Sequence, residues 1–198
     1  NIPTYKMDGY EADDIIGTIS NYYSKENITT YIYSADKDLM QLVKDNVFVY
    51  SPGNSFTKRK IYNIEEVFNK WGVNPEKIVD YLSLLGDTSD NVPGVRGVGK
   101  KTASKLIEKY SSLEKIYDSI DSIENERIKK LLIESKKEAF LSKKLVTLDL
   151  DVNILYNLKD MQIDNLQYQN IIDNLHDLDI FTFDNFINSG NSKNSTIK

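Results

Sequence analysis

The sequence predicts an α/β sheet domain followed by a mainly helical second half. Three observations carry this. Up to Tyr62, segments with apolar residues at helical spacing alternate with short β-branched and aromatic runs. Beyond Tyr62 the strand signals stop. The chain then continues as successive helical periods separated by Gly, Pro and Asn turns.

Taken in order, Ala12, Ile15, Ile16, Ile19 and Tyr23 repeat with the helical period, so a helix is expected from Glu11 to about Ser24. Thr29 to Ser34 reads as a strand. Asp36 then starts a short helix through Leu39, Leu42 and Val43. Val47 to Tyr50 is a second strand, Ser51-Pro-Gly-Asn a turn, and Phe56 to Tyr62 an edge strand carrying Lys58, Arg59 and Lys60. This alternation favours a mixed or parallel sheet. Helices follow over Ile64 to Trp71, Pro75 to Leu85 (with Asn74 as cap), Lys100 to Tyr110, Leu113 to Ile120, and one long stretch from about Glu124 to Lys144. Leu148 to Leu155 is expected to be extended, Ile163 to Leu175 and Ile180 to Phe186 helical, and the final SGNSKNSTIK a disordered tail or linker.

Composition narrows the chemistry. The 198 residues include no cysteine and a single histidine, His176, which excludes disulfides and thiolate or imidazole metal centres. A metal here must be held by carboxylates, which selects hard ions such as Mg²⁺ or Mn²⁺. The net charge of −5 argues against a phosphate partner until its distribution is examined. Acidic clusters lie before position 91, and Arg96, Lys100, Lys101, Lys105 and Lys109 follow directly. No apolar run reaches the roughly 20 residues of a membrane span, so no membrane partner is expected.

Three acidic clusters stand out. Glu11, Asp13 and Asp14 open the first helix, where acidic residues also simply complement the helix dipole. Residues two apart do not face each other on a helix, so Glu11 and Asp13 converge only if Glu11 still lies in the incoming loop. Asp36 and Asp38 follow a strand, at the carboxyl end where open α/β sheets build sites, although Asp36 also suits a helix cap. Asp87 and Asp90 sit in Gly86-Asp-Thr-Ser-Asp-Asn-Val-Pro-Gly, whose residue types also make an ordinary turn. Brought together, so many carboxylates would require divalent cations, and two metals roughly 4 Å apart are the usual arrangement for phosphodiester hydrolysis.

Pro93-Gly-Val-Arg-Gly-Val-Gly-Lys-Lys-Thr-Ala103 has the spacing of a helix-hairpin-helix. Glycine allows close approach of backbone to phosphate, and the next helix points free N–H groups at it. Lys101, Lys105 and Lys109 share one helical face. The segment holds neither GxGxxG nor GxxxxGK[ST] and follows a helix rather than a strand, which excludes a nucleotide-binding loop. Backbone contacts of this kind give little sequence preference and strong salt dependence.

In order, GYEADDIIGT, SADKDLMQLV and GDTSDNVPGVRGVGKKTASKL resemble the 5′-nuclease domain of bacterial-type DNA polymerase I and its stand-alone exonuclease relatives, within the flap endonuclease superfamily. The likeness runs from about Asp8 to about Leu148. It implies a partial PIN-like α/β domain over residues 1–72 and a helix-hairpin-helix domain over 73–150, to which periodicity and composition add a C-terminal helical extension over 151–187 and a disordered tail or linker over 188–198. It further implies two divalent ions and hydrolysis of DNA near a 5′ flap, nick or gap, in replication and repair.

On the matching positions, Glu11 and Asp13 would serve the first metal and Asp36, Asp38 and Asp90 the second, with Asp14 and Asp87 acting through water or across both. Asp36, Asp38 and Asp90 are the expected catalytic carboxylates. Arg96, the Gly97-Val98-Gly99 backbone, Lys100, Lys101 and Lys105 would hold the duplex, with K⁺ at the hairpin carbonyls. The family pattern also places a strand bearing an Asp, a second metal-binding Asp and a helical arch ahead of the first motif. The expectation is therefore a fragment, weak or inactive alone and with exposed apolar sheet surface, from a monomeric intracellular protein of bacterial cytoplasm, organelle or nucleus. Fusion to a DNA polymerase domain is compatible with it. The competing readings are a non-catalytic helix-hairpin-helix DNA-binding module, against which the seven carboxylates speak, and a PIN-type ribonuclease, for which a duplex-DNA hairpin is unnecessary. A haloacid-dehalogenase-like phosphatase would need DxDx[TV], which is absent.

Overall fold

The computed structural model describes residues 3–53, 58–161, 173, 176 and 177. Residues Lys6–Ile154 form one compact unit; Asn1–Tyr5 and Leu155–Lys198 form another. In the second, Asn157 O accepts the N–H groups of Asp160 and Met161 in a turn. The two expected terminal helices, apart from Asp173, and the expected tail lie outside the described residues.

The main unit opens with α1 (Ala12–Lys25), β1 (Thr30–Tyr33), a 3-10 turn (Asp38–Leu42), β2 (Val47–Ser51) and β3 (Lys60–Tyr62). The strands pair in that order, β1 parallel to β2 and β2 antiparallel to β3. The sheet is thus mixed, as the alternation predicts. Period-two alternation sends Ile32, Val47, Val49 and Tyr62 into the core. On the other face Tyr31 and Tyr33 stack on Phe48 and Tyr50, and remain 60% and 71% exposed.

The helical half comprises α2 (Ile64–Trp71), α3 (Ile78–Leu85), α4 (Lys100–Tyr110), α5 (Leu113–Asp118), α6 (Glu126–Glu134) and α7 (Lys136–Val146). Helix α3 is the hub. Ile78, Tyr81, Leu82 and Leu84 are buried in a core that runs continuously from Ile32 to Val146. The charged residue of α3, Asp80, is also buried and accepts from Leu113 N–H at 3.2 Å and from Lys143 Nζ at 2.7 Å, which ties α3 to α5 and α7. Such a carboxylate is tolerable only because both donors reach it.

Three expectations need correction. The helix expected from Pro75 begins as a 3-10 turn over Pro75–Lys77, and the Asn74 side chain does not cap it. The helix after β1 is 3-10 and starts at Asp38, because the Asp36 side chain takes the Asp38 N–H into a tight turn. The long helix from Glu124 is two helices broken at Ser135. There Tyr117 Oη donates to Leu132 O at 3.0 Å, occupying the carbonyl a continuous helix would offer to the Lys136 N–H. The segment after Leu148, expected to be extended, pairs with no strand among the described residues; it crosses α1 as a strap, where the Thr18 hydroxyl donates to Asp149 O and accepts from Val152 N–H.

Candidate functional site

At the carboxyl end of β1 the chain reverses through short polar side chains. Ser34 Oγ accepts the Asp36 N–H at 3.0 Å, and Asp36 Oδ1 accepts the Asp38 N–H at 2.9 Å. This holds two carboxylates beyond the end of a parallel strand. Asp38 is half-buried, and its Oδ1 is a buried oxygen without a hydrogen-bond partner among the described residues. An orphaned acceptor of this kind costs on the order of 1–3 kcal/mol, more when charged. Burial first, then Asp36, with smaller contributions from Asp90 and Asp13, pushes the Asp38 carboxyl up to about 6 against the opposing pull of the Lys37 ammonium.

The first cluster arrives on α1. Glu11 is the N-cap, with extended backbone at φ −82° and ψ 160°, so it does lie in the incoming loop and Asp13 in the first turn. Asp13 is half-buried. Its carboxyl is raised by burial and then by Asp36, Glu11, Asp14 and Asp90. Asp14 is differently placed. Its Oδ2 accepts the Glu11 N–H at 3.2 Å and its Oδ1 the Asp149 N–H at 2.8 Å, so it closes the helix start and pins the strap.

The third cluster stands on a loop closed at its base. Asp87 and Val92 exchange both main-chain hydrogen bonds, at 2.8 and 2.7 Å. Below them Gly86 and Gly94, both at positive φ, meet backbone to backbone; a Cβ on Gly94 would come within 2.5 Å of Gly86 N. The Ser142 hydroxyl on α7 accepts the Gly94 N–H at 2.8 Å. Asp90 is exposed on this loop.

Asp87, expected to act with the metal ligands, is placed otherwise. It is 7% exposed, its Oδ1 accepts from Ser89 N–H and Oγ–H at 2.9 Å each, and its Oδ2 is paired with the Lys37 ammonium. A buried carboxylate needs such donors, and Lys37, fifty residues away, supplies the charge. Lys37, Ser142 and the strap at Asp149 are the parts of the site that sequence reasoning did not single out. No local pattern marks them, because each acts through a long-range contact.

Three distant segments therefore bring Asp13, Asp36, Asp38 and Asp90 into one mutually repelling field, with Glu11 and Asp14 beside Asp13. Among the described residues no three carboxylates close on a single point as a complete cage for an ion would. The donor set still fits a hard divalent cation. It is all oxygen, one buried oxygen lacks a partner, and Mg²⁺ commonly takes only one or two carboxylates while keeping waters and binding substrate phosphate.

Beyond the loop, Val95 and Val98 are buried while Arg96, Gly97, Gly99, Lys100, Lys101, Lys105 and Lys109 are exposed. Gly97 takes φ +88°, and Gly99 is the N-cap of α4 without a capping side chain. Among the described residues no acceptor serves the Lys100 and Lys101 N–H groups, so the helix presents bare donors beside cationic side chains. At Gly99 the backbone is ordinary, with φ −97°, and an added Cβ meets nothing within 4 Å. Gly99→Ala should consequently leave the melting temperature within about 2 °C of the parent. Its affinity for duplex DNA in a fluorescence-anisotropy titration should fall about tenfold, because the methyl occupies the path of an approaching phosphate backbone. Unchanged affinity would remove Gly99 from the interface.

Residues 1–72 match the family model described as 5′-3′ exonuclease, N-terminal resolvase-like domain, and residues 73–169 that described as 5′-3′ exonuclease, C-terminal SAM fold. DNA polymerase I of Bacillus subtilis is 40% identical over 168 residues, 85% of this chain and 18% of that protein. A 5′-3′ exonuclease of Aquifex aeolicus is 40% identical over 180 residues, 90% of this chain and 59% of that one. The chain thus spans about a fifth of the polymerase relative and under two thirds of the exonuclease. Among solved structures, a mutant of T5 5′-exonuclease superposes with a TM-score of 0.63 at 27% identity, covering 75% of this chain and 58% of that one. The bacteriophage T5 flap endonuclease in a pseudo-enzyme-product complex with DNA and metal ions gives 0.62 at 26%, over 75% and 53%. T5 5′-exonuclease with bound zinc gives 0.64 at 26%, over 74% and 53%.

Proposed function

Because the chain belongs to the 5′-3′ exonuclease family, across its resolvase-like and SAM-fold parts, we propose that it hydrolyses DNA phosphodiesters near a 5′ end, using divalent metal ions held by carboxylates. The observation that carries this reading is the half-buried Asp38 with an unpartnered oxygen, set among Asp13, Asp36 and Asp90. A bound divalent cation would supply Lewis-acid stabilisation of the phosphoryl oxygens and a water of lowered pKa.

Each group of residues has a separate task. Asp36, Asp38 and Asp90, with Glu11 and Asp13 opposite, would hold the cations and fix where the scissile phosphate stands. The bare N–H groups of α4, with Arg96, Lys100, Lys101 and Lys105, would grip the duplex phosphates and leave base identity unread. Spacing between grip and carboxylates, rather than sequence, then selects the bond cut, which favours a flap, nick or gap as substrate. The relatives that bear on the partner are the T5 flap endonuclease crystallised with DNA and metal ions and the polymerase I proteins. Mg²⁺ or Mn²⁺ suits the oxygen donor set, and K⁺ suits carbonyls at the hairpin.

The test uses the chain and an N-terminally extended form of it on labelled 5′-flap, nicked, gapped and single-stranded DNA, and on an RNA flap. Expected is cleavage of flap DNA that requires Mg²⁺ or Mn²⁺ and stops with EDTA. Equal rates on the RNA flap would favour a ribonuclease. Tight, salt-sensitive binding by both forms with no metal-dependent cleavage would leave a DNA-binding module.

A further inference from the structure

We infer that Lys37 is a positioning residue for the carboxylate cluster, acting through Asp87. Their ion pair sets where Asp90 stands relative to Asp36 and Asp38. This rests on reading the cluster as a divalent-metal site.

Lys37 occupies the N-cap position of the 3-10 turn, between the two carboxylates at the end of β1. Its ammonium leaves that turn and pairs with Asp87 at the base of the 86–94 loop. Asp87 is held on every side: Oδ1 by the Ser89 N–H and hydroxyl, the main chain by Val92, and the whole residue by burial. Among the described residues no other hydrogen bond or ion pair joins the 34–40 turn to the 86–94 loop. Beyond the shared core packing of Leu39, Met40 and Val92, this one polar contact, spanning fifty residues of sequence, links the turn of Asp36 and Asp38 to the loop of Asp90.

Charge alone and positioning predict opposite signs. The Lys37 ammonium stands beside Asp38 and opposes the negative field there. If charge were its whole effect, removing it would leave the cluster more negative and tighten the hold on a divalent cation. If the ion pair fixes geometry, removing it frees the loop carrying Asp90, and the cation is held more weakly. Outer partners that orient ligands are typically worth about 10–100-fold in metal affinity.

The experiment measures Mn²⁺ dissociation constants by electron paramagnetic resonance of the free ion, with melting curves in EDTA to follow the fold. The variants are Lys37→Met, Asp87→Asn, the double variant and Lys37→Arg. Lys37→Met and Asp87→Asn are each expected to weaken Mn²⁺ about tenfold, the double variant to be no worse than either, and Lys37→Arg to stay within about threefold of the parent. Unchanged or tighter binding by Lys37→Met overturns the inference. So do losses that add in the double variant, because the two residues would then act separately. If a single variant fails to fold on its stranded charge, the double variant, which strands none, decides by the same criterion: folded with weakened Mn²⁺ supports the inference, and folded with parental Mn²⁺ overturns it. Failure of the parent chain to bind Mn²⁺ would instead strike the metal reading itself.

Discussion

Replacing Asp36 and Asp38 together by alanine is expected to lower metal-dependent cleavage by about a thousandfold or more, in whichever form of the protein cleaves, while flap-DNA affinity is retained or rises. The loss corresponds to several kcal/mol of transition-state stabilisation that a held cation contributes. The gain in affinity has a separate origin. Both carboxylates stand in a field that already pushes Asp38 up to about 6, through burial first and then its neighbours. Removing them relieves repulsion toward phosphate without touching the Arg96–Lys105 grip. Single-turnover cleavage and anisotropy binding in EDTA separate the two effects. Parallel loss of binding and cleavage would mean that the turn after β1 positions DNA and does no chemistry.

Gly94→Ala should destabilise the fold by about 3 kcal/mol or more in urea unfolding. Two costs combine. The residue sits at φ +62°, a region costly to L residues, and its Cβ would lie 2.5 Å from Gly86 N and 2.7 Å from Gly86 Cα. Neither atom can rotate away as a side chain would. Relief requires opening the loop base, which also pulls the Gly94 N–H from Ser142 and shifts Asp87 and Asp90. Any folded remnant should therefore bind Mn²⁺ weakly. A loss under about 1 kcal/mol would show that the loop base can open at little cost.

Helices whose ends are set locally were legible to the residue. Helix α2 spans Ile64–Trp71 because the Asn63 side chain caps its start and Gly72 turns left-handed at its end. Helix α4 begins at the Gly99 N-cap and stops where Ser111 adopts φ +70°. The α6–α7 break was not legible, because it follows from a tyrosine hydroxyl arriving from α5. In the site, the same division holds. That carboxylates gather at the end of β1 and before a glycine hairpin could be read from spacing. Which carboxylates are free to hold a cation could not.

Sequence by itself determined the order of strands and helices up to α5, the acid-then-base order along the chain and the restriction to oxygen ligands, since these follow from local periodicity, capping chemistry and the absence of cysteine. Tertiary structure alone decided that Asp14 closes a helix start against the Asp149 strap and that Asp87 pairs with Lys37, whereas Asp38 keeps an unpartnered oxygen. A carboxylate's role is set by the donors that reach it in space. Here those donors lie 135 and 50 residues away, beyond any pattern that neighbouring residues can encode.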